Sequence, residues 1–240
     1  MEGVNWDKTR KMLKRVRKDP DDLGHGFKRF FTGMNSENSF YQGRHIISRD
    51  KPINGGVYLG EGSREALVVD DTKDTQLKKI FSLLINRMGD KDPKTYLLWG
   101  VWELAREIIP YDENRVIKIN QKLLPDQKIY LSSFFGGGVC RHQALLMAYL
   151  LEKCMQQGYL GGKVSVDRNS IDGLGGHAWV RYVTRAGGVI ILDATQNFIG
   201  TLEESDANNG WIYRRPQELG KYGIVHKLKA RVRELFISNS

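Results

Sequence analysis

From Val139 to Met155 the chain offers almost no polar helix face, because Val139, Ala144, Leu145, Leu146, Met147, Ala148, Leu150, Leu151, Cys154 and Met155 cover it on nearly all sides. A helix that is apolar all round has to be enclosed by other elements. The remaining chain must therefore supply layers around it. Gly136, Gly137 and Gly138 lead into this helix, and Gly158 fits its C-terminal stop. With 240 residues, 40% of them hydrophobic and 10% aromatic, the chain is long enough to bury one sizeable core.

The covering elements are legible on both sides. Upstream, Leu77, Ile80, Phe81, Leu83, Leu84 and Met88 recur at helical spacing until Gly89. A second helix follows Pro93, carries Tyr96, Leu97, Trp99, Val101, Leu104, Ile108 and Ile109, and is stopped by Pro110. Downstream, Lys163–Asp167, His177–Val183 and Val189–Asp193 read as strands, with Thr184-Arg185-Ala186-Gly187-Gly188 as a hairpin turn. Helices first and antiparallel strands afterwards indicate an α+β fold, with a buried helix packed on an antiparallel sheet. Residues 1–75 are polar and broken by Gly and Asn, apart from short strand-like pieces such as Val57-Tyr58-Leu59, and read as an accessory region. Residues 76–215 are the expected core and 216–240 a basic C-terminal segment.

Composition narrows the function classes. No apolar run reaches the roughly 20 residues of a membrane-spanning helix, and the N-terminal residues lack the apolar stretch of a signal peptide, so a cytoplasmic location is expected. A net charge of +9 favours acidic partners. The cluster Lys8, Arg10, Lys11, Lys14, Arg15, Arg17 and Lys18 reads as a solvated helix face, and the absence of interleaved aromatics argues against a nucleic-acid interface. Two cysteines are too few for a disulfide framework. On one continuous helix, Cys140 and Cys154 are about 21 Å apart, at about 1.5 Å per residue, which no disulfide spans. Cys140 is thus expected to be a free thiol, and Cys154 a small buried hydrophobe.

A thiol at a helix start meets unpaired backbone N–H groups and the positive end of the helix dipole, both of which favour the thiolate. Cys140 occupies such a start, and Gly138 ahead of it permits close approach of a substrate backbone. The Cys140 N–H is a candidate oxyanion donor. A base must reach the sulfur, and a third group must orient that base. His177 and Asp193 suit these roles. With Thr184-Arg185-Ala186 as the loop, Val183 pairs with Gly187, which places His177 opposite Asp193 with both side chains on one face. The plain alternative is a core cysteine, a satisfied strand histidine and a strand-ending aspartate. His142 lies at the wrong angle on the helix to serve Cys140 as a base, and is expected to make a packing or substrate contact. Cys140, His142, Cys154 and His177 lack the spacing of a zinc site, so no metal and no cofactor are expected.

The segment from Leu77 to Thr195 resembles the transglutaminase-like superfamily, a circularly permuted relative of the papain-type thiol proteases. The resemblance is carried by Gly138-x-Cys140 with Ala144 in the following helix, by Gly176-His177-Ala178-Trp179, and by Asp193-Ala194-Thr195. It implies Cys140 as nucleophile, His177 as general base and acid, and Asp193 as the group orienting the imidazole. Val139 and Arg141 around the cysteine, where animal transglutaminases usually carry Gln and Trp, are closer to microbial members, which include proteases, amidases and deamidases. Candidates for oxyanion stabilisation or substrate contact are Gly138, Trp179, Gln143, Trp99 and Trp102. The implied function is thiol acyl transfer on a protein or peptide amide, with glutamine deamidation or transamidation favoured. A cysteine peptidase and a catalytically idle protein-binding module are the alternatives.

Overall fold

In a computed structural model of the protein, the residues described are 40–49, 51–59, 65–124, 127–171, 175–207, 211–215 and 218. The basic cluster Lys8–Lys18, and all of 216–240 except Glu218, lie outside them. The chain divides into two compact units between Ile199 and Gly200.

In the first unit the helices begin and end where local chemistry dictates. Helix α1 (Thr75–Met88) buries Leu77, Leu84 and Met88 and stops at Gly89, whose φ is 53°. Helix α2 (Pro93–Ile108) has proline in its first turn, where no N–H is needed, and Asp92 accepts from Thr95 N–H at 3.1 Å as its cap. A short helix that the apolar periodicity does not reveal, α3 (Glu113–Asn120), is capped by Asp112, which accepts from Arg115 N–H at 2.9 Å. Its only sequence signal is that Asp-Glu start.

Helix α4 (Cys140–Gln156) is the centre of the unit. The seven consecutive residues from Leu145 to Leu151 are all buried, against α2 on one side and strands on the other. Each fully buried leucine there contributes about 1.5–3 kcal/mol relative to exposure. Three polar side chains toward the end of α4 reach the chain ahead of α1. Glu152 accepts from Ile53 N–H at 2.8 Å and Asn54 N–H at 2.7 Å, Tyr149 donates to Asp71 at 3.2 Å, and Lys153 pairs with Asp71 at 3.1 Å.

The region expected to be accessory is therefore part of this unit. Phe40–Tyr41 (β1) and Arg44–His45 (β2) form a small hairpin. Strands β3 (Gly56–Leu59) and β4 (Ala66–Val69) pair antiparallel, and β4 then pairs parallel with β5 (Lys128–Tyr130), which arrives only after the three helices. Leu67 and Val69 of β4 belong to the same core cluster as α4. The boundary at residue 76 is corrected accordingly: a polar, glycine-broken segment still buries two of its strands once a distant strand completes the sheet.

The second sheet has the order β6-β7-β8-β9, with β6 (Lys163–Ile171), β7 (Gly175–Val183), β8 (Val189–Asp193) and β9 (Phe198–Thr201). Strands β6, β7 and β8 pair antiparallel. The β7–β8 register differs from the expected one. Val183 pairs with Val189 rather than Gly187, because Thr184 N–H bonds Gly188 O at 2.8 Å and the loop becomes Arg185-Ala186-Gly187. Gly187 takes φ 85°, the left-handed position that closes such a three-residue loop. The slip is two residues, so facing parity survives: Asp193 falls opposite Trp179, and His177 lies one diagonal step away on the same face.

In the second unit, helix α5 (Leu202–Ala207) opens with a capping box, in which Thr201 N–H donates to Glu204 Oε2 at 2.6 Å and Glu204 N–H to Thr201 Oγ1 at 3.1 Å. Among the described residues no helix is long and apolar enough to cross a membrane.

Candidate active site

The start of α4 is built by the segment that follows α2. Gly138 N–H donates to Pro110 O at 3.0 Å and Gly138 O accepts from Asp112 N–H at 2.7 Å. A Cβ on Gly138 would lie 2.5 Å from Ile109 Cγ2 and 3.0 Å from His142 Cβ, so glycine is required here by the chain's own packing. Substrate approach is not needed to explain it. Val139 caps the helix in extended conformation, and its N–H donates to His142 Nδ1 at 2.9 Å. With the 138 and 139 amides used, the N–H groups of Cys140 and Arg141 are the first-turn donors facing no intrahelical acceptor.

Cys140 is a free, half-buried thiol. Its sulfur is hydrogen-bonded to the His177 side chain and to Ala178 N–H. His177 Nε2 lies 2.5 Å from Asp193 Oδ2, which leaves Nδ1 for the sulfur. Asp193 is held from two more directions. Its Oδ1 accepts from Gln196 N–H at 3.0 Å, and its carbonyl from Trp102 Nε1 at 3.3 Å. The structure thus brings Cys140, His177 and Asp193 into one chain of contacts, from a helix start and two adjacent strands.

Electrostatics separate the two cysteines. Burial alone pushes the Cys140 thiol up, but the bond and charge of His177, the Ala178 N–H and the Arg141 charge together bring it below its ordinary value. Burial likewise pulls His177 down, and the Asp193 carboxylate with the Cys140 sulfur overcomes this, raising the imidazole to about 10. Both shifts favour a thiolate beside an imidazolium over the neutral pair. Cys154, buried among apolar side chains, is pushed up to about 12.

The remaining candidates separate clearly. Gln143 is buried; its Nε2 donates to Ile109 O at 2.8 Å and its Oε1 accepts from Thr195 Oγ1 at 2.7 Å. It braces the turn after Asp193 against α4 rather than facing a substrate. Trp102 likewise spends its N–H on Asp193 O, and its ring lies between Trp99, 5.0 Å away by centroid, and the Arg106 guanidinium at 4.5 Å. Trp99 is 46% exposed, whereas Trp179 is buried with its ring 5.9 Å from that of His177. Sequence reading missed Tyr58, Tyr111 and Glu65. Cys140 acts electrostatically on both tyrosines, and Glu65 pairs with Arg141. No motif marks them, since they converge from β3, the 109–112 segment and the residue before β4. Among the described residues no three His, Cys, Asp or Glu side chains converge on a metal-sized site.

His142, expected to pack or to touch substrate, is fully buried and stacked on Phe134 with centroids 3.8 Å apart. Burial, reinforced by the Arg141 charge, lowers it to about 4 despite Glu65. A histidine that folds neutral contributes stability that is fully present above its ordinary 6.5 and is lost as pH falls toward 4. The loss is on the order of 3 kcal/mol. His142→Gln keeps a side-chain acceptor for Val139 N–H, as glutamine does in a capping box, but does not titrate. Its urea-unfolding free energy should fall less between pH 6.5 and 4 than that of the wild type. Parallel pH profiles for the two proteins would exclude His142 as the acid-sensitive group.

No family model, curated protein or solved structure matches the chain.

Proposed function

We propose that the protein is a thiol acyl-transfer enzyme with a transglutaminase-like core, acting on the glutamine side chain of a protein or peptide. One observation carries this reading: the half-buried Cys140 thiol, at the start of a buried helix, is bonded to His177, whose other ring nitrogen is bonded to Asp193. In this mechanism the Cys140 thiolate attacks the carboxamide carbon, forming a C–S bond and a tetrahedral oxyanion stabilised by the Cys140 N–H. The His177 imidazolium protonates the departing nitrogen, ammonia leaves, and a thioester remains. Neutral His177 then takes a proton from water or a primary amine as it attacks the thioester. The C–S bond breaks, returning the thiolate–imidazolium pair. Asp193 balances the imidazolium charge throughout. A free thiol as nucleophile suits a reducing compartment, and the cytoplasm is the location we propose.

The test is incubation with a library of glutamine-bearing peptides, with and without a primary amine, read by mass spectrometry. Deamidation, a gain of about 1 Da, or an amine adduct is expected through the thioester. Main-chain fragments would instead identify a peptidase, in which the leaving group is the peptide amine. Absence of any product across a broad library would favour a binding module that retains the fold without turnover.

A further inference from the structure

One carboxylate near the thiol takes no part in that mechanism. Glu65 lies just before β4 and is 2% exposed. Its Oε1 accepts from Nε and Nη2 of Arg141 and faces His142 Nε2 at 3.4 Å. Its Oε2, also buried, has no hydrogen-bond partner among the described residues. Burial works against the ionised form, but the adjacent His142 ring and the charge of Arg141 hold the carboxyl below its ordinary value. Buried ion pairs of this kind add little net stability, because desolvation cancels much of the attraction. Folding alone is a poor account of why a charge is kept here.

We propose that Glu65 is a positioning residue for the thiol: it grips the two residues after Cys140, fixing the first turn of α4 and keeping the Arg141 guanidinium fixed at that turn. This rests on the reading of Cys140 as a nucleophile. The grip works through three neighbours of Cys140. Arg141, with a side chain 20% exposed, would turn toward water without a fixed carboxylate. With Nδ1 accepting from Val139 N–H, neutral His142 carries its proton on Nε2, and the Glu65 charge 3.4 Å away favours that tautomer electrostatically. Residues 139, 141 and 142 are thereby held together, and residue 140 cannot move independently of them.

The experiment is the pH dependence of Cys140 alkylation by iodoacetamide, mapped by mass spectrometry on the folded full chain. Glu65→Gln should raise the midpoint by about half a unit or more, because the released guanidinium no longer favours the thiolate. Glu65→Asp should give a smaller rise. An unchanged or lowered midpoint in a Gln variant with native circular dichroism would overturn the proposal. If that variant does not fold, Glu65→Asp, which keeps the charge but shortens the reach to Arg141, takes its place: a raised midpoint supports the proposal, and a wild-type midpoint overturns it. A wild-type protein whose own midpoint equals that of a free cysteine, about 8.5, would refute the nucleophile reading itself.

Discussion

Asp193→Asn should lower kcat on a glutamine peptide by about 10⁴, the loss known for the equivalent change in a serine protease, with the fold retained. The reason lies in which nitrogen Asp193 holds. Its Oδ2 meets His177 Nε2, so in the native site a proton on Nε2 is bound by the carboxylate and Nδ1 is left for the sulfur. An asparagine amide donates to Nε2 instead, which forces the neutral ring to carry its proton on Nδ1, facing Cys140. That tautomer cannot accept a proton on the thiol side. Loss of the Asp193 charge also removes the main force holding His177 up near 10 against burial. The Asn side-chain oxygen can still accept from Gln196 N–H, so the turn after β8 survives. Cys140→Ala should abolish turnover, since no thioester can form. Steady-state kinetics decide the first claim, and nitrogen chemical shifts of the His177 ring report the tautomer directly. An Asn variant with near-normal turnover would reduce Asp193 to a structural brace.

The second large effect is selective alkylation. At pH 7 a thiol pushed up to about 12 is thiolate in only about one molecule in 10⁵, whereas Cys140 is held down by His177. A lower-pKa thiolate is intrinsically less nucleophilic, which takes back about half of that gap in decades. An ordinary thiol at about 8.5 would already react about 10² times faster than Cys154, so Cys140 should react with iodoacetamide at least about 10² times faster. Peptide mapping after timed quenching measures both rates in one sample. His177→Ala should shrink the ratio by raising Cys140 toward an ordinary thiol. Comparable rates in the native wild-type protein would mean that the helix start and imidazole do not activate Cys140.

Much of this arrangement is local and can be read along the chain. The apolar circumference of α4, the Asp92-Pro93 start of α2 and the β-branched and aromatic runs of β6, β7 and β8 are properties of neighbouring residues, set by the helix period, by strand preference and by caps. Even the shared face of His177 and Asp193 was secure, because side-chain direction in a sheet has period two and the hairpin slipped by two residues. The exact pairing was not. It turned on whether Gly187 or Ala186 closed the loop, a choice made by the left-handed conformation at Gly187. Nor did any local pattern show that Trp102 and Gln143 are occupied by Asp193 O, Ile109 O and Thr195, since those bonds join positions 34 to 91 residues apart. Glu65 is the clearest case, meeting Arg141 across 76 residues of chain. Sequence alone marked the long helices and the strands β6 to β8, and singled out Cys140, His177 and Asp193 as candidates for the chemistry. Tertiary packing alone decided which of those groups are free to act, because a buried polar atom takes whichever partner the fold brings within hydrogen-bond distance.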